Sequence, residues 1–90
     1  MAHYIAIIVP SDGGDWRVLF PDIAECEAQG FNLDEARVAA SEALEQCRKA
    51  NGAKLPQPRD LSDIERDEEW LSRHGVDLSK AIVTMVSLYS

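Results

Sequence analysis

Basic residues are scarce in this chain. Nine lysines and arginines stand against 16 aspartates and glutamates among 90 residues, a formal net charge of -7. That balance argues against phosphate-backbone binding, where a basic patch supplies most of the affinity. It favours a basic partner, because opposite fields steer encounter, and it also keeps the chain soluble. Cysteine is nearly missing: Cys26 and Cys47 make no CxxC motif and no framework of staples. They read as small hydrophobes in a reducing compartment rather than as nucleophiles. Histidine occurs twice, at His3 and His74, and no local signature joins either to a cysteine. Long apolar runs are lacking too. "YIAIIVP" is too short for a membrane span or a signal-peptide core, and no basic segment precedes it, so a cytoplasmic protein is expected. No repeat, low-complexity tract or phosphate-binding glycine pattern occurs, and "DGGD" has acids on both flanks that would repel a phosphate.

What is there suffices for one domain. Hydrophobic residues make up 46% of the chain, and a chain of this length buries roughly 60–65% of its unfolded surface. "HYIAIIVP" reads as a strand closed by Pro10, "SDGGD" as a turn, and "DWRVLFP" as a second strand with Trp16, Val18 and Phe20 on one side. "ECEAQGF" reads as a weaker third strand. Cys26 and Ala28 face inward there, and Glu25, Glu27 and Gln29 face outward, as suits an edge.

A long helix starts near Leu33, with Asn32 and Glu35 as its capping box. Ala36, Ala40, Ala43, Leu44 and Cys47 form its apolar stripe, small enough for close approach to a sheet. Glu45 is spaced to pair with Lys49, and Gly52 is placed to stop the helix. After the connector "AKLPQPR", a second helix is expected from Ser62 to Gly75, capped by Ser62 and Glu65. Leu61, Ile64 and Leu71 are its core candidates, and the pattern leaves Trp70 without a clear place. "KAIVTMVSLYS" is the last strand. The fold class is α+β: a single domain over 1–90 with a small antiparallel or mixed sheet in the order β-β-β-α-(α)-β. The first and last strands are apolar on both sides, which predicts central positions. It also predicts a second copy of the chain over part of one face.

No constellation for catalysis, metal or cofactor stands out. The first strand carries no acid, the run "DIERDEE" does not fit a calcium loop, and most carboxylates fall on turns or outward faces. A non-enzyme without cofactor or metal is expected.

Tyr4, Gly13-Gly14, Phe20-Pro21-Asp22, Cys26, Gln29-Gly30, Glu35-Ala36, Ala43-Leu44 and Leu55-Pro56-Gln57-Pro58 form an ordered set over about two thirds of the chain. In that order the set resembles the N-terminal domain of HicB-type antitoxins. Two departures from the family pattern are Ala24-Glu25, where Pro-Gly is usual, and Phe31-Asn32, where Asp-Thr is usual. The resemblance implies a partial ribonuclease-H-like fold without the nuclease, since active relatives hold a carboxylate on the first strand. It implies an antitoxin that binds and neutralises a small basic HicA-type mRNA-cleaving toxin. Many family members continue into a helix-turn-helix or ribbon-helix-helix segment. None is recognisable here, so no direct nucleic-acid contact is expected, and no membrane contact.

Exposure and charge place the partner contacts at Trp16, Asp22, Glu25 and Glu27, with Trp16 as an aromatic anchor. A homo-oligomer, dimer or tetramer, is expected through the sheet. The alternative reading is a solitary HicB-like oligomeric scaffold or regulator with no toxin partner.

Overall fold

Nine residues rich in β-branched side chains, Ala2–Pro10, form β1. The computed structural model describes residues 2–50 and 55–88. Asp12-Gly13-Gly14 turns the chain back, with Gly14 at φ 86°, a conformation that side chains disfavour. β2, Trp16–Leu19, then pairs antiparallel with β1, setting Ile7 against Leu19 and Ile8 against Val18. β3, Glu27–Gly30, pairs outside β2. β4, Ile82–Leu88, pairs along the other side of β1 with Ile5 opposite Met85 and Ile7 opposite Val83. The sheet order is β3-β2-β1-β4.

β1 is central, as its two apolar sides predict. β4 is not: it forms the second edge of the sheet. Two-sided apolarity reports covered faces, and says nothing about which strand flanks carry hydrogen-bonded neighbours.

The first helix, α1, spans Leu33–Ala50. Asn32 Oδ1 accepts the Glu35 amide at 2.9 Å, and Glu35 Oε2 accepts the Phe31 amide at 3.0 Å, so both halves of the cap form. Ala36, Ala40 and Leu44 are buried on the sheet. Glu45 pairs with Arg48, one turn on, rather than forming the expected bond to Lys49. Gly52 lies outside the described residues.

The expected second helix is two short ones, α2 at Leu61–Glu65 and α3 at Glu68–Arg73. Ser62 sits inside α2, whose N-cap is Asp60 and lacks a side-chain bond. The break falls at Asp67, whose carboxylate accepts the Trp70 amide at 3.1 Å and Arg59 Nη1 at 3.2 Å. A side chain that caps a new helix cannot also continue the old one. Gly75, at φ 63°, closes α3. The Val76 amide bonds to the Leu71 carbonyl and the Gly75 amide to the Ser72 carbonyl, the paired bonds of a Schellman stop.

The sheet therefore carries a core on each face. Tyr4, Ala6, Ile8, Val18, Phe20 and Cys26 pack under α1. Ile5, Ile7 and Ile64 form the other core, joined by half-buried Val9, Trp70, Val76 and Leu78. This is where Trp70 belongs. Ile64 is buried, Leu71 half-buried and Leu61 exposed, so α2 anchors chiefly through one isoleucine.

Candidate partner-binding edge

A clasp between distant segments positions the elements. The Tyr4 hydroxyl donates to the Pro56 carbonyl at 2.6 Å. Burial, then the nearby Asp22, pushes its pKa up, which keeps the donor proton in place. Arg59 donates its amide to Asp22 at 2.8 Å, Nε to the same carboxylate at 2.5 Å and Nη2 to the Pro21 carbonyl at 3.3 Å. The Phe-Pro-Asp segment after β2 and the Leu-Pro-Gln-Pro connector thus hold each other. They lead the chain from the α1 face to the α2–α3 face.

Asp22 is accordingly no surface contact. Its side chain is only 4% exposed, and its charge is met by Arg59. The other sequence-derived positions fall along the β3 side. Glu27 is exposed and pairs with Arg17 at 3.6 Å, and Glu25 is exposed in the loop before β3. Trp16 lies opposite Gly30 and is half-buried against the α1-side core. Gln29 beside it donates to Asp15 at 2.9 Å.

Two apolar residues missed from sequence complete this edge. Phe31 is 80% exposed and Val38 60%. Phe31 precedes the N-cap, where an apolar residue ordinarily packs on the fourth helical position. That position is Ala36, buried here against Gly30, so the phenyl ring is left in water. The signal for it was the departure Phe31-Asn32 from the family pattern.

Shallow depressions link these residues. One is lined by Gln29, Gly30, Phe31 and Glu35, and the next by Asp34, Glu35, Val38, Ala39 and Glu42. A third, of about 330 Å³, lies among Glu25, Glu27, Ala43, Gln46 and Cys47. Together they make a strip along the β3-side flank of α1: an aromatic and a valine rimmed by carboxylates. Its chemistry is recognition of a cationic, partly apolar surface.

The same geometry argues against nucleophilic chemistry at Cys26. Cys26 is buried and its thiol donates to the Ala43 carbonyl at 3.4 Å. Burial first, then neighbouring Cys47, pushes its pKa far up, away from thiolate. His74 stacks on Trp70 with ring centroids 4.8 Å apart, on the opposite sheet face. His3 shares a 2.8 Å hydrogen bond with Ser87. Among the described residues no three His, Cys, Asp or Glu side chains gather to hold a metal ion, and no helix is long and apolar enough to cross a membrane.

No family model and no curated protein matches the sequence. Solved structures do match the fold. The N-terminal domain of the Burkholderia pseudomallei antitoxin HicB aligns over 98% of this chain and 99% of its own, with TM-score 0.72 and 17% identity. A chain of the HicA3–HicB3 toxin–antitoxin complex aligns over 98% and 99%, with TM-score 0.67 and 24% identity. A chain of a toxin–antitoxin complex from Streptococcus pneumoniae aligns over 94% of this chain and 67% of its own, with TM-score 0.70 and 26% identity.

Proposed function

We propose, for a chain folded as a HicB antitoxin N-terminal domain, that it is a non-catalytic antitoxin. It binds and neutralises a small, basic, mRNA-cleaving toxin of the HicA type. The observation that carries this reading is the acidic β3-side strip on a fold shared with chains of toxin–antitoxin complexes. A ribonuclease toxin needs a basic surface to hold RNA. Glu25, Glu27, Asp34, Glu35 and Glu42 offer that surface an alternative set of anions, and Phe31, Val38 and half-buried Trp16 offer it apolar contact. Occupying the RNA surface neutralises the toxin without any chemistry. The partial ribonuclease-H-like fold that the resemblance implies would here lack the first-strand acid of a nuclease, because β1 carries no carboxylate.

The test is titration of the purified chain with a small basic HicA-type toxin, taken from the adjacent reading frame where that frame encodes one. A complex whose affinity falls as salt rises supports the proposal. Absence of binding at low salt removes it. The rival reading, a solitary oligomeric scaffold or regulator, draws on the second sheet edge.

A further inference from the structure

We infer that β4 is a self-association edge: two copies pair antiparallel through Ile82–Leu88 about a two-fold axis at Thr84, merging their sheets. This is independent of the toxin proposal. The two edges of the sheet are built differently. β3 is four residues long, bears Glu27 and Gln29, and has Arg17 beside it. Such features discourage stray pairing. β4 runs seven residues, "IVTMVSL", with no charge and no proline. Among the described residues only β1 pairs with it, so its outer hydrogen-bonding groups form an open template.

The faces beside that edge are unfinished. Val83 is 37% and Met85 63% exposed. They lie opposite Ile7 and Ile5, on the face whose centre α2 and α3 cover. A groove of about 490 Å³ borders them, its wall mostly apolar at Ile5, Pro58 and Leu61, with His3, Arg59 and Asp60 also lining it. α2 thus stops short of the strand and leaves an apolar shoulder.

Charge and symmetry select the occupant. A basic partner is drawn to the acids on the β3 flank of α1, whereas the β4 flank presents Arg37 and Ser41. Two chains of net charge -7 repel least where they meet along an uncharged strand. A two-fold axis normal to the sheet keeps each face with its own kind, so paired residue numbers must sum to an even number. The register centred on Thr84 sets Val83 against Met85 of the second copy, and Ile82 against Val86. Centring on Met85 would instead put Val83 against Ser87 and waste the exposed valine. A contact of one strand per copy belongs with the small, transient interfaces, so the association is sought across the micromolar range.

Sedimentation equilibrium across the micromolar range tests this. The wild-type chain is expected to rise from 10.0 kDa toward twice that mass, and more readily at high salt, because screening relieves like-charge repulsion. Met85→Lys weakens the dimer by roughly tenfold or more while Met85→Leu keeps it. Both variants melt like wild type, because the residue is exposed in the single chain. For the register, Thr84→Cys and Met85→Cys are made separately on a Cys47→Ala background and oxidised mildly. Residues directly opposite in an antiparallel pair have Cα atoms about 4.5–5.5 Å apart, inside the disulfide range. Thr84→Cys therefore cross-links two chains faster. A wild-type monomer throughout, a dimer indifferent to Met85→Lys, or faster cross-linking by Met85→Cys overturns the inference.

Discussion

Asp22 turns its charge inward, and its partner explains why the sequence hid this. Arg59 lies 37 residues away, beyond any local pattern, so an acid after a Pro turn read as surface. Asp22→Ala removes the acceptor of two Arg59 bonds and is expected to cost about 1–2 kcal/mol, held low because Arg59 is partly exposed. Thermal melting reads that as a drop of several degrees for a domain this size. An unchanged melt would show that the clasp adds nothing. Asp67 gives a pH dependence. The Trp70 amide, then Arg59, holds its carboxyl below the usual value of 3.8. A group lowered in the folded state contributes stability that is complete above its unfolded pKa and lost as pH falls through the folded one. Melting temperature should therefore fall on acidification below about pH 4. Asp67→Asn, which keeps a capping oxygen, should make that fall shallower without abolishing it, since Ser79 lowers Asp77 as well. At the cysteines the expectation from sequence, a small buried hydrophobe, holds for Cys26. Iodoacetamide should modify half-buried Cys47 first, and mass mapping that finds Cys26 modified first would contradict its packing.

Element by element, the signals that survive are local ones. The hairpin turn, the Asn32–Glu35 cap, the alanine stripe and the Gly75 stop each depend on residues within a few positions of one another. What failed depends on contacts across the chain. Gly30 reads as a turn residue, yet a Cβ there would lie 2.4 Å from the Ala36 nitrogen. Its requirement is the closeness of α1 to β3. Gly30→Ala must push backbone against backbone and is expected to cost about 1–3 kcal/mol. Gly75→Ala adds only left-handed strain of about 1 kcal/mol. Chemical denaturation of the two variants side by side ranks them, and equal midpoints would refute the close-packing explanation. The continuous helix expected over 62–75 divided at Asp67, and the last strand moved from centre to edge, for the same kind of reason. Periodicity describes faces, whereas the Arg59 bond that holds the capping carboxylate of Asp67 and the hydrogen-bonded neighbours of a strand are properties of the assembled fold.

Across the whole molecule, charge is divided between two edges. The β3 side of α1 gathers carboxylates around Phe31 and Val38, and the β4 side presents an uncharged strand. Glu25 and Glu27 were legible as outward acids from strand alternation. Phe31 carried one hint, its departure from the family pattern, which does not tell that Ala36 is buried against Gly30 and leaves the ring unstapled, and Val38 carried none. The two surfaces make opposite demands on salt. Association at the acidic strip should weaken as salt rises, and pairing through β4 should strengthen.

The central claim is that the acidic strip disarms a basic toxin, and growth rescue tests it most directly. A small basic HicA-type toxin, taken from the adjacent reading frame where that frame encodes one, is induced in cells together with the wild-type chain, or with the Glu25→Lys, Glu27→Lys double variant, both checked for soluble accumulation. The account predicts that wild type restores growth and that the double variant, equally abundant, does so far less. Failure of the soluble wild-type chain to restore growth, or full rescue by the double variant, would contradict it.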